Sequence, residues 1–143
     1  MMMSAIFAPV NGMGKQTISE YIYRVLPLAK HNATEFGIPA SITLAQAILE
    51  SAGGTSDVAR DKNNHFGIKH GKEYRRFSDV FECYRFHAEF MCLHYSRAIG
   101  KPAAHWLKYC RGYGGKDYWH HVRRIWQHYG LERYDRNTYS WKA

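Results

Sequence analysis

The sequence predicts a mainly α-helical (α+β) domain carrying one small β-hairpin flap. Three observations support this. Apolar residues recur every three or four positions through most of the chain, glycine and proline punctuate those stretches, and only one short segment alternates as a strand does. At 143 residues the chain can bury one core and is short for a second. Its 45% apolar and 15% aromatic content exceeds what a solvated, disordered chain carries.

Residues 1–15 form an N-terminal extension expected to be loosely ordered. From Gln16 to Phe36, Ile18, Tyr21, Ile22, Val25, Leu28 and Ala29 recur at helical spacing, and Pro27 is expected to kink or interrupt that helix. Gly37 fits a helix stop and Pro39 a start. Ser41 to Ala52 is the clearest helix. Ile42, Leu44, Ala45, Ile48 and Leu49 form a wide apolar band, and Gly53-Gly54 ends it. Glu50 lies off that band, on a stripe with Thr43, Gln46 and Ala47.

A helical turn around Ser56 to Arg60 leads to Asn63-Asn64 and Gly67, which are loop formers. A turn at Gly71 and the aromatic alternation beside it predict a short hairpin. Asp79 can cap a long helix running to about Ala98, with Val80, Tyr84, His87, Met91 and Tyr95 on one stripe. Gly100-Lys101-Pro102 stops it. A shorter helix over 103–110, the loop RGYGG and a last helix follow; Tyr118, Val122, Ile125, Trp126 and Tyr129 of that helix face the core. Gly130 ends it, and the polar tail from 132 to 143 is expected to be loosely held. No repeat, low-complexity tract or linker divides the chain.

Twenty Lys and Arg against twelve Asp and Glu give a formal charge of +8, which attracts polyanions without choosing among nucleic acid, anionic lipid and wall polymer. The basic residues are spread along the sequence with no block that marks a nucleic-acid arm, and no nucleic-acid partner is expected. Cys83, Cys92 and Cys110 have no CxxC spacing, so buried free thiols are expected. His120 and His121 are adjacent and no HExxH occurs, so no metal site and no cofactor are expected. RGYGGK follows a helix and lacks phosphate-loop spacing. No apolar run reaches the roughly 20 residues needed to span a bilayer. The opening MMMSAIFAPV lacks the basic start of an export signal.

Glu50 closes an apolar helix at its C-terminal end and is followed by small residues. The negative helix terminus and apolar cover both disfavour a carboxylate, which is what a general acid requires. Taken alone, Glu50 also fits an ordinary solvated glutamate near a helix end.

The surrounding text bears on that choice. Pro39 is followed, after Ala40, by Ser41-Ile42-Thr43-Leu44-Ala45-Gln46-Ala47-Ile48-Leu49-Glu50-Ser51, and Asn63-Asn64-His65-Phe66-Gly67-Ile68-Lys69 lies downstream. These two stretches closely resemble the core helix and the "N-N-x-F-G-I-K" turn of the glucosaminidases of glycoside hydrolase family 73, bacterial peptidoglycan hydrolases with a lysozyme-like fold. FSDVFECYRFHAEFM resembles the family's helix after the flap, and GYGGKDYWHHVRRIWQHYGL its final loop and helix, so the likeness spans about residues 16–131.

The resemblance implies a lysozyme-like fold, Glu50 as proton donor to the leaving glycosidic oxygen, and peptidoglycan glycan strands as substrate. It implies that Gln46, Asn64 and Phe66 shape the cleft and that Tyr113 and Tyr118 line the sugar site. Each has a plainer alternative: Phe66 as core under the flap, His87 as a hydrogen-bonded core histidine, Tyr118 as part of its helix's apolar stripe. The loop from Tyr113 to Tyr118 lacks the family's Asp-Pro pair in its usual register. The segment between Lys69 and Phe77 is shorter than the hairpin that bears a second carboxylate in many relatives. Glu73 is the one acid inside it and the candidate second catalytic group, with a surface glutamate as the alternative. The substrate's own 2-acetamido oxygen offers another route.

The resemblance further implies action in the cell wall, periplasm or medium, by a monomer. Lytic transglycosylation and a degenerate wall-binding module that does not cut remain the competing functions.

Overall fold

The computed structural model describes residues 2–3, 15–112 and 117–136. Helix α1 (Lys15–Phe36) runs unbroken through Pro27, so the expected interruption does not occur. Proline withholds the N–H that would bond the Tyr23 carbonyl; both residues lie on the exposed face, where water serves that carbonyl instead.

Helix α2 (Ala40–Ser51) is buried along its whole length. It packs against α1 on one side, against α6 (Tyr118–His128) and the 3-10 turn Leu131–Asp135 on the other, and touches α5 (Ala103–Tyr109). The Thr43, Gln46 and Glu50 stripe, off the apolar band in sequence, is therefore interior too. The end of α2 is closed locally. Ala52 takes a left-handed conformation (φ 51°), and the Ser51 hydroxyl donates to the Ala47 carbonyl at 2.6 Å while accepting the Gly54 N–H at 2.8 Å. Gly54 is required here: its φ is +81°, and a Cβ would stand 2.7 Å from the Tyr21 ring of α1.

Ser56 caps α3 (Asp57–Lys62) by accepting the Ala59 N–H. The flap follows as β2 (Ile68–His70) and β3 (Glu73–Tyr74), antiparallel, with Gly71 in the turn. Within the segment expected to be a loose extension, β1 (Met2–Met3) adds a third strand, with Met3 opposite Ile68, so the flap is a three-stranded sheet in the order β1-β2-β3.

Asp79 and Glu82 cap α4 (Val80–His94) reciprocally: the Asp79 carboxylate accepts the Glu82 N–H at 2.7 Å and Glu82 accepts the Ser78 N–H at 2.9 Å. The helix ends four residues before the expected Ala98, and a separate 3-10 turn (Ser96–Ala98) completes that stretch. Tyr84, His87, Met91 and Tyr95 are buried as their stripe predicts, and Val80 is half-buried. Cys83 and Cys110 are buried and Cys92 only partly so; all three are free thiols.

Within the segment expected to be a loosely held tail, the structure describes residues 132–136, and Asp135 there is tied to the body of the fold. Asp135 accepts the Ser41 N–H at 2.7 Å and the Ser41 hydroxyl at 2.5 Å, and Trp126 Nε1 donates to that hydroxyl at 2.8 Å. Pro39 offers no side-chain cap to α2, so a carboxylate 94 residues away caps it. Among the described residues, no helix is long and apolar enough to cross a membrane.

Candidate active site

Glu50 sits in the last turn of α2 with 4% of its surface exposed. Four residues back, one turn along the same stripe, Gln46 is fully buried and its amide donates to the Tyr118 hydroxyl at 3.0 Å and approaches Met91 Sδ at 3.8 Å. Tyr118 opens α6 and is itself buried. Burial first, and then the charge of Glu50, push its hydroxyl well above the ordinary phenol range. Tyr118 therefore stays protonated and can donate a hydrogen bond but cannot serve as a base. Glu50, Gln46 and Tyr118 thus form one cluster where α2 ends and α6 begins.

Phe66 and His87 lie in the interior. The Phe66 ring is completely buried, stacked on His87 with ring centroids 3.7 Å apart and edge-on to Tyr84 at 4.9 Å. It is core under the flap. His87 was expected to be a hydrogen-bonded core histidine, yet neither of its ring nitrogens bonds another described residue. Stacking holds it, and burial lowers its pKa to about 3, so it stays neutral.

Asn64 is buried and spends its amide on the flap. Nδ2 donates to the carbonyls of Ile68 at 2.8 Å and Arg75 at 2.9 Å, and Oδ1 accepts the N–H groups of Phe66 and Ile68. It fixes the flap backbone, with no amide donor left for a sugar. Glu73 is exposed on β3, opposite His70. Tyr113 lies outside the described residues. Among the described residues, no group of three His, Cys, Asp or Glu side chains could hold a metal ion.

Sequence reasoning missed a second buried network next to this cluster. The Tyr21 hydroxyl and His65 Nδ1 share a hydrogen bond of 2.6 Å, the Tyr84 hydroxyl lies 2.9 Å from Tyr21, and the His65 backbone N–H donates to Cys83 Sγ at 3.4 Å. The Ser51 hydroxyl, on the residue after Glu50, acts on Tyr21 electrostatically. Burial drives Tyr21 and Cys83 up and His65 down to about 4. The network ties α1 and α4 to the root of the flap. A surface cleft lined by Lys30, Ile38, Lys101, Pro102 and Tyr134 lies at the opposite end of α2. Ten residues of helix put it about 15 Å from Glu50, so it has no part in this cluster.

The sequence profile of the glucosaminidase family, described as mannosyl-glycoprotein endo-beta-N-acetylglucosaminidase, matches residues 26–131. A search of curated protein sequences gave no match. Among solved structures, an N-acetylmuramoyl-L-alanine amidase from Staphylococcus aureus is similar with a TM-score of 0.69 at 17% identity, over 95% of this chain and 49% of that one. The chain spans about half the length of that protein, and at this identity the likeness speaks for the fold alone. With the profile covering most of its length, including both the Glu50 helix and the flap, the chain belongs to the glucosaminidase family of glycoside hydrolases.

Proposed function

We propose that the chain hydrolyses the glycan strands of bacterial peptidoglycan as an endo-β-N-acetylglucosaminidase, with Glu50 as the general acid. The observation that carries this reading is a carboxyl buried in the last turn of α2, close enough to the Tyr118 hydroxyl to act on it electrostatically. Burial and the negative end of the helix both favour the neutral acid, which must hold its proton until the leaving oxygen needs it. Gln46 is the donor in its contact with Tyr118, so the phenolic proton remains for another acceptor, and the Glu50 carboxyl lies near enough to act on that hydroxyl. The pair orients the acid. Tyr113 is proposed to line the sugar site beside it.

Cleavage needs a second group to attack the sugar or to activate water. Glu73 is exposed on a two-residue strand, with little around it to fix its carboxylate. That favours attack by the substrate's 2-acetamido oxygen over attack by Glu73. The same observation keeps lytic transglycosylation as a second reading, because one buried acid serves that reaction too. Action in the cell wall, the periplasm or outside the cell follows from the substrate. Digestion of purified sacculi, with mass spectrometry of the products, tests all of this. N-acetylglucosamine at new reducing ends is expected, anhydro-muramic ends lighter by one water would indicate transglycosylation, and intact glycan would leave a wall-binding module.

A further inference from the structure

The positive charge is unevenly placed in the folded chain. Residues 101–136 hold eight of the twenty Lys and Arg and three of the twelve Asp and Glu. The acids, Asp117, Glu132 and Asp135, flank α6, and neither α5 nor α6 contains one. Along α6, His120, Arg124 and His128 recur every four residues as an exposed stripe. Arg123 reaches across to α5 and donates to the Leu107 carbonyl at 3.0 Å, which locks the two helices together beside the exposed Lys108. The ion pairs between described side chains, among them Arg60–Asp57 and Arg85–Glu35, belong to α1, α3 and α4.

The acid-free face also has a direction. Trp126 of α6 bonds Ser41 at the start of α2, and Tyr118 bonds Gln46 near its end, so α6 runs antiparallel to α2. Its first turn lies at the Glu50 cluster, and its basic stripe leads away from it for about 15 Å. Next to it, the exposed Tyr109 ring carries the Lys108 ammonium at 5.2 Å and the His105 ring at 4.7 Å, an aromatic platform with a cation beside it.

From this placement we infer that the α5–α6 face is a second binding surface, holding the carboxylate-rich peptide stems of peptidoglycan while the glycan strand lies at Glu50. The inference rests on the proposed wall substrate. Stems project from a glycan strand at regular intervals and carry more carboxylates than amines, so an acid-free cationic track leading out of the site complements them. The surface keeps the enzyme on an insoluble polymer between cuts and takes no part in bond cleavage.

The test is the double variant Lys108→Glu/Arg124→Glu, set against Arg60→Glu/Arg97→Glu, which changes net charge equally but on other exposed positions. The probe is sacculi stripped of phosphate-bearing polymers, with binding read by co-sedimentation over a salt series. The α5–α6 variant is expected to lose about tenfold in affinity and most of its salt dependence, with the control close to wild type. Cleavage of soluble glycan strands freed of their peptides is expected to be unchanged. Equal losses in both variants would reduce the effect to net charge and overturn the inference. So would sacculus binding that vanishes once phosphate polymers are stripped, or a variant that loses duplex DNA binding while keeping sacculi. Absence of cleavage in the wild type would instead sink the catalytic reading and leave the binding result to be read by itself.

Discussion

The Tyr21 hydroxyl and His65 Nδ1 share a hydrogen bond of 2.6 Å, which joins α1 to the turn from which the flap springs. Tyr84 of α4 bonds the same hydroxyl at 2.9 Å. Three segments distant in sequence therefore share one buried network, and burial keeps His65 neutral within it.

Acid is expected to unfold the protein through that histidine. Burial, with the Arg24 charge assisting, lowers His65 from 6.5 to about 4. Above pH 6.5 the folded and unfolded chains are both neutral there. As pH falls through 6.5 the unfolded histidine takes a proton that the folded one refuses, so stability drops until about pH 4. The loss approaches about 3 kcal/mol, and His87, lowered to about 3, adds in the same direction. Urea midpoints measured from about pH 7.5 to about pH 4.5 should show the decline, and His65→Leu should flatten it. A flat profile in the wild type would refute the assignment.

Gly54 tests how firmly the network holds the Tyr21 ring. A methyl there would meet the ring at 2.7 Å, and hydrogen bonds to His65 and Tyr84 keep the ring from moving aside. Gly71 also has a positive φ, but its Cβ position is open. Gly71→Ala is therefore expected to cost about 1 kcal/mol, the left-handed penalty alone, and Gly54→Ala about 3 kcal/mol. Thermal melts of the two variants separate the contributions, and equal losses would mean that Tyr21 yields.

What was legible in the sequence is what local spacing encodes. The apolar band of α2 and the Glu50 motif gave the helix and the family; Gly71 gave the hairpin turn; Asp79 gave the start of α4. Missing from any local pattern were partners brought in from elsewhere. The band of α2 marks one buried face, but α1, α6 and the final turn surround the helix, so Thr43, Gln46 and Glu50 are buried as well. Met2–Met3 joins the flap through backbone pairing, which side-chain spacing does not announce. Pro27 reads as a breaker until its neighbours prove exposed. The joint contact of Ser41 with Trp126 and Asp135 closes over separations of 85 and 94 residues.

That last contact makes the C-terminal turn part of the fold. Asp135→Ala removes both acceptors from the first turn of a buried helix and is expected to cost about 1–2 kcal/mol, whereas Asp135→Asn keeps one acceptor and should cost less. Differential scanning calorimetry would show the order. A melting point for Asp135→Ala equal to wild type would return the turn to the status of a loose tail.

The role of Glu73 is separable by mutation. Its carboxylate is exposed on the flap tip, so Glu73→Gln is expected to lower turnover on sacculi by no more than a few-fold while leaving the fold intact. A complete loss matching that of Glu50→Gln would establish a two-carboxylate mechanism in its place.

Glu50→Gln is the decisive substitution. Glutamine matches glutamate in size and keeps an oxygen toward Tyr118, but it has no proton to give the leaving sugar. Because the residue is buried near the Tyr118 hydroxyl, the change replaces a titratable group with a neutral one of the same shape, and folding should tolerate it. Sacculus binding should survive as well, since the α5–α6 face is untouched. Cleavage should fall by roughly the 10²–10⁴-fold attributed to general acid catalysis. Tyr118→Phe offers the intermediate case: the proton donor remains but loses the hydroxyl beside it, so a smaller fall is expected, together with a shifted alkaline limb in the pH profile, where the acid loses its proton. Released reducing ends, melting temperature and sacculus pull-down, measured together for all three proteins, separate chemistry from folding and from binding. A well-folded Glu50→Gln protein that still cleaved sacculi at close to the wild-type rate would remove Glu50 from the mechanism.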